Sequence, residues 1–116
     1  IESVNETIGT FTGDQIHRSV AFDRIFLEEL HRRFPTVAGE VLTIPVGNPH
    51  ETEFVHLLPA VEAACRYKGF VGYHAYWTAH PGKNWLAEKW RWHAGRWTEM
   101  DRVFNAYGYY PWYIFS

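Results

Sequence analysis

The chain lacks the features that several common protein classes require. Cys65 is the only cysteine, so no disulfide can form within the chain. Lys and Arg number 11 against 13 Asp and Glu, without a basic run, which argues against nucleic-acid binding. No apolar run approaches the length of about 18 residues that a membrane-spanning helix needs. Neither GxGxxG nor a P-loop pattern occurs, so no phosphate-binding turn is indicated.

Metal-binding spacings are also missing, because neither HExxH nor CxxC occurs, and no cofactor is indicated. Aromatic residues, in contrast, are abundant, with six Trp, seven Tyr and eight Phe. Aromatic rings pack cores, and they also form flat platforms for ligands with apolar faces, such as sugars. Apolar residues make up 47% of the chain, which is enough for a substantial core.

Short apolar runs alternate with longer segments of helical spacing. The runs predict strands at Ile1–Asn5, Glu40–Val46, Phe70–Tyr76 and Trp112–Phe115. Between them the spacing predicts three helices: one from an N-cap at Asp14 to just before Pro35, one over about Glu51 to Tyr67, and one over about Asn84 to Tyr107. Pro59 is expected to weaken or kink the second helix, and Gly95 to interrupt the third.

This βαβαβαβ order is typical of parallel strands joined by crossover helices. Two architectures fit it, an open doubly wound sheet and part of a (β/α)8 barrel. The residues that follow the strands are carboxylates, amides, histidines and aromatics rather than glycine-rich turns, which favours the barrel. The expected fold class is therefore α/β, a partial (β/α)8 TIM barrel of four parallel strands and three crossover helices. Residues 1–116 would form a single segment of about half a barrel.

In parallel α/β proteins, functional groups collect at the carboxyl ends of the strands. Reading the four predicted ends gives one set of candidates: Asn5, Glu6, Gly47, Asn48, His50, Tyr73, His74, Tyr76, Trp77 and Ser116. Convergence of these groups on one rim would create a site.

Four motifs carry a family resemblance: Glu2-Ser-Val-Asn-Glu6, Pro45-Val-Gly-Asn-Pro49, Gly72-Tyr-His-Ala-Tyr-Trp77 and Pro111-Trp-Tyr-Ile-Phe-Ser116. In this order they resemble strands four to seven of a retaining glycoside hydrolase barrel of clan A. The resemblance implies that Glu6 is the catalytic acid/base and that the nucleophile follows strand seven, outside these residues. It further implies a carbohydrate substrate, cleavage of O-glycosidic bonds by double displacement, and substrate binding by Asn5, Asn48, His74, Tyr76 and Trp77.

Without its nucleophile this segment alone is expected to be inactive. Its inner sheet face is expected to be apolar and to need covering, either by the remaining barrel segments or by another chain. A non-catalytic carbohydrate-binding barrel module is the alternative function. A third possibility is a different barrel enzyme that uses only Glu6 and His74 for acid/base chemistry.

Plain structural roles compete with these assignments. Glu6 could be a solvated loop carboxylate, and Asn5-Glu6-Thr7 also matches an N-glycosylation sequon. His74 could be a hydrogen-bonded core histidine. Cys65 is expected to be a small buried residue. Glu40 and Glu62 are expected to be ordinary surface charges.

Overall fold

A computed structural model describes residues 1–4, 13–45, 47–75 and 94–116. Helix α1 (Gly13–Arg33) leads to strand β1 (Glu40–Ile44), which is followed by a 3-10 helix (Glu51–Leu57) that runs directly into α2 (Leu58–Arg66). Strand β2 (Phe70–Tyr73), helix α3 (Trp97–Ala106) and strand β3 (Trp112–Phe115) complete the described elements. The chain is a mixed α/β structure. Among the described residues, no helix is both long and apolar enough to cross a membrane.

The strands form a three-stranded sheet in the order β1-β2-β3. Both pairs are parallel; Glu40 lies opposite Phe70, and Phe70 lies opposite Trp112. The predicted parallel order is thus confirmed for these three strands. In place of a fourth strand over Ile1–Asn5, the described part of that segment makes one parallel bridge, between Glu2 and Glu40. Strand β3 has the predicted bounds, whereas β1 and β2 are shorter than expected at their carboxyl ends.

Helix α1 follows its sequence closely, except that it begins at Gly13, so Asp14 lies in the first turn and the predicted N-cap at Asp14 is wrong. Ile16, Val20, Leu27 and Leu30 recur at helical spacing and are buried, while an acidic residue in the first turn and basic residues in the last turn favour the helix dipole. The helix ends two residues before Pro35, as the conformational restriction ahead of proline predicts.

Pro59 divides the second helical segment, as expected, but the division is a change of helix type. The chain is a 3-10 helix up to Leu57, and Pro59 sits in the first turn of α2, where its missing N–H costs nothing. The described part of the third helical segment begins after a turn at residues 94–96, which contains Gly95, and the predicted helix before residue 94 lies outside the described residues.

The core lies on one side of the sheet. Val41, Val71 and Tyr73 point from the strands toward the helices and are at most 1% exposed. Phe54 of the 3-10 helix and Phe104 of α3 pack against them in the same buried cluster. This one-sided burial decides which residues are left for the other face.

Candidate functional site

The second face of the sheet, made by Glu40, Phe70, Gly72, Trp112 and Ile114, points away from the core. Side chains alternate along a strand, so the neighbours of the buried residues fall on this face. Trp112 is 67% exposed, and its ring lies 5.9 Å from that of Phe70. We expected this face to be apolar, but it combines aromatic and charged residues.

Glu40 lies across β2 and fills the space that Gly72 leaves empty. A Cβ atom added at residue 72 would collide with Glu40 Oε1, and it would also come within 3.0 Å of the Thr43 Cα atom. Glycine within a strand commonly marks such a close approach. The expectation that Glu40 is an ordinary surface charge is therefore wrong, because its carboxyl group is partly buried on the second face.

Glu2 stands beside Glu40 through the parallel bridge. Its Oε1 atom accepts a hydrogen bond of 2.9 Å from the Thr43 hydroxyl. Burial raises the pKa of Glu40, the neighbouring Glu2 carboxylate raises it further, and the amino terminus and His74 partly offset the increase. The surroundings of Glu40 thus favour the protonated form of its carboxyl group.

His74 and Ser116 follow β2 and β3 at the carboxyl end of the sheet. The Ser116 hydroxyl and His74 Nδ1 are 3.1 Å apart. Backbone hydrogen bonds continue the ladder past the strands, from His74 N–H to the Ile44 carbonyl (3.0 Å) and from Ser116 N–H to the Tyr73 carbonyl (3.1 Å). Alternation from Gly72 and Ile114 puts both side chains on the second face.

We call these second-face side chains the polar row: Glu2, Thr43, Glu40, His74 and Ser116. It crosses the N-terminal segment and all three strands, and it brings together residues far apart in sequence. Two carboxyl groups, a histidine and two hydroxyls can donate and accept hydrogen bonds and can transfer protons. Among the described residues, no group of three or more His, Cys, Asp or Glu is placed to hold a metal ion.

Arg96 organises the loop that follows β1. Its side chain is 3% exposed, donates a hydrogen bond to the Pro49 carbonyl, and lies 4.9 Å from the centre of the Phe54 ring. Burial lowers the pKa of Arg96, an effect that Tyr73 and Glu51 partly oppose. Burial also raises the pKa of Tyr73 to about 12, so this phenol stays neutral.

Of the six residues predicted for the site, the structure describes two, His74 and Asn48. His74 lies in the polar row. Asn48 is partly buried after β1, and its N–H lies 3.4 Å from the Pro45 carbonyl. No hydrogen bond joins the described Asn48 to the polar row. The other four predicted residues fall outside the described ranges: Asn5, Glu6, Tyr76 and Trp77.

Three further residues named in the sequence analysis, His50, Cys65 and Glu62, belong to the helical segment between β1 and β2 or cap it. His50 caps the 3-10 helix, where its Nδ1 accepts from the Thr52 N–H at 3.3 Å. Cys65 is exposed, so the expectation of a buried thiol is wrong; the apolar spacing of α2 puts this position at the edge of its buried face. Glu62 is a surface charge, as expected, and pairs with Arg66 at 3.0 Å.

Asp23 is the most important residue that the sequence analysis did not identify. It lies on the buried side of α1, is 1% exposed, and bonds to both the N-terminal segment and β1. Its position within the apolar repeat, seven residues after Ile16 and four before Leu27, was the available signal.

Comparison of the chain with protein-family models, with curated proteins and with solved structures finds no match.

Proposed function

We propose that this chain is part of a (β/α)8-barrel glycoside hydrolase that cleaves O-glycosidic bonds of an oligo- or polysaccharide by a retaining double displacement. The polar row is the observation that carries the proposal. It lines the sheet face opposite the helices, which is the face that becomes the interior of a barrel. Two of its members, His74 and Ser116, stand at the carboxyl ends of adjacent parallel strands, where barrel enzymes place their sites.

The strand order supports the same proposal. The segment that begins with Ile1 runs parallel to β1, and the sequence reaches Asn5 and Glu6 directly after it. Glu6 would protonate the leaving oxygen, and a carboxylate from elsewhere in the protein would attack the anomeric carbon. Asn5, Asn48, His74, Tyr76 and Trp77 would bind substrate hydroxyls and ring faces. Other barrel segments, or another chain, would cover the second face.

A leaving-group test addresses the role of Glu6. In the longest natural form of the protein that contains these residues, Glu6→Gln should lower kcat/KM for an alkyl glycoside by about 10²- to 10⁴-fold, the usual contribution of a general acid. The loss should be far smaller for a dinitrophenyl glycoside, because that leaving group needs no protonation. Initial rates with both substrates measure the difference.

Glu62→Gln is the matched control, since Glu62 only pairs with Arg66 on the surface of α2. In Glu62→Gln, kcat/KM should be unchanged for both glycosides. Equal losses for both glycosides in Glu6→Gln would remove Glu6 from the acid/base role. Retained activity toward the alkyl glycoside would do the same.

One observation favours the non-catalytic alternative, a carbohydrate-binding module. The exposed Trp112 ring and the neighbouring Phe70 ring form an aromatic surface on the second face. In a binding module, Trp112→Ala should weaken retention on insoluble polysaccharide while no glycoside is hydrolysed. The tyrosine at position 107, also exposed, provides a comparison variant, Tyr107→Ala, in which retention should be unchanged.

A further inference from the structure

Strand β1 contains a bulge with unusual backbone geometry. Its pairing with β2 shifts register between Val41 and Ile44. Within the shift, Leu42 has φ 70° and Thr43 has φ 23°, in the left-handed region that residues with large or branched side chains avoid. Such conformations persist where the surrounding structure imposes them, and they concentrate at functional sites.

Asp23 supplies the bond that holds this backbone. Its Oδ2 atom accepts from the Leu42 N–H at 2.9 Å, and its Oδ1 atom accepts from the Ser3 hydroxyl at 2.6 Å. The carboxylate is 1% exposed, so water does not compete for these bonds. One side chain of α1 therefore ties the N-terminal segment and β1 together from the core side.

The effect of these bonds reaches the second face. The bulge turns Thr43 so that its hydroxyl donates to Glu2 Oε1 at 2.9 Å. Glu2 precedes Ser3, the other partner of Asp23, and is bridged to Glu40. Both ends of the Thr43–Glu2 hydrogen bond are thus fixed within one residue of an Asp23 contact.

We propose that Asp23 is a positioning residue for the polar row: it holds the Leu42–Thr43 bulge and Ser3 so that Thr43 engages Glu2 beside Glu40. A role of the polar row in sugar cleavage rests on the proposed function, whereas the positioning of Thr43 and Glu2 by Asp23 does not. Asp23 acts through Leu42 and Ser3 and would not touch a substrate.

The test follows the carboxyl carbon signal of Glu2 by NMR in the full chain. Thr43→Val removes the hydroxyl and defines the shift that accompanies loss of the Thr43–Glu2 bond. Asp23→Ala should displace the Glu2 signal in the same direction, because the bulge and Ser3 are both released. Asp23→Asn should keep the native signal, since its amide can accept from Leu42 N–H and donate to the Ser3 oxygen.

Val20→Ala is the matched control, one turn earlier on the same buried side of α1. It weakens packing without touching a hydrogen bond of Asp23, so the Glu2 signal should stay in place. A shift in Val20→Ala equal to that in Asp23→Ala would overturn the proposal, as would a native signal in folded Asp23→Ala.

If Asp23→Ala does not fold, Ser3→Ala takes its place, because it frees the N-terminal segment and leaves the Leu42 bond intact. A displaced Glu2 signal in Ser3→Ala, with a native one in Asp23→Asn, supports the proposal, and an unmoved signal in Ser3→Ala contradicts it. These measurements need no substrate. Failure of the Glu6 test would therefore leave them unaffected, and their failure would not decide the Glu6 role.

Discussion

The two faces of the sheet are built from alternate residues of the same strands, yet they meet different demands. On the core face, Val71 and Tyr73 are buried in one cluster with side chains of the helices. On the second face, the carboxyl group of Glu40 occupies the space beside Gly72, and Trp112 is exposed. Stability resides in the first face. The second face carries the carboxyl, imidazole and hydroxyl groups of the polar row.

The largest effect should come from truncating the core face. Phe104 of α3 is fully buried in the core cluster, so Phe104→Ala should lower the free energy of unfolding by about 3–5 kcal/mol through lost burial and a residual cavity. Trp112→Ala on the second face should change it by about 0.5 kcal/mol or less, because most of that ring is already in water.

Urea unfolding of both variants beside the unmodified chain measures the contrast. Equal losses would mean that Trp112 is covered in solution, by another copy of the chain for example. The Trp112→Ala measurement should then be repeated at several protein concentrations. If another copy covers Trp112, the loss depends on concentration; if Trp112 belongs to the core, it does not.

An intermediate effect concerns pH and connects the two faces. Burial raises the pKa of Asp23 above its ordinary 3.8, although bonds from Ser3 and Leu42 partly oppose the shift. Burial likewise raises that of Glu40 above 4.5. Because the folded state binds protons more tightly at both groups, they favour folding at low pH. Their contribution to stability should fall as the pH rises from these ordinary values through the raised ones, and then level off.

Unfolding curves recorded between pH 3 and pH 8, about the range of carboxyl and histidine titration, measure this dependence. Asp23→Asn and Glu40→Gln should each flatten part of the decline. Variants that keep the full slope would show that other groups cause it.

The smallest effect should come from the surface of α1, remote from both faces. Glu29 accepts from Arg32 and Arg33, and these bonds lower its pKa to about 2. All three side chains are exposed to solvent, which screens their attraction. Glu29→Gln should leave the urea midpoint unchanged at high salt and shift it barely at low salt. A large shift would indicate that this surface is covered.

The core face could be predicted from the sequence because its signal is local. The spacing of Ile16, Val20 and Leu27 identifies the buried side of α1, and the apolar run Trp112–Phe115 marks β3 with its observed bounds. Exposed Phe22 and Ile25 show the limit of this signal, since apolar character alone does not say which side of a helix is covered.

The polar row could not be predicted in the same way. His74 and Ser116 were both candidates from their places at strand ends, but the distance between their side chains depends on the register between β2 and β3. The contact of Glu2 with Thr43 depends on a bulge, which shifts every later side chain of β1. The residue pattern of a single strand predicts neither its register with a neighbour nor the position of a bulge.

The single bridge at Glu2 has a consequence for the order in which the molecule opens. Only a few hydrogen bonds join the N-terminal segment to the rest of the described structure, among them Ser3 N–H to the Glu40 carbonyl and the Ser3 hydroxyl to Asp23. Segments held by few bonds detach in brief local excursions long before the whole protein unfolds. We expect the Ser3 amide to exchange its hydrogen faster than the Val71 amide in the middle of the sheet. Each such excursion would carry Glu2 away from Thr43 and Glu40, so the carboxyl pair exists only while that short segment is docked.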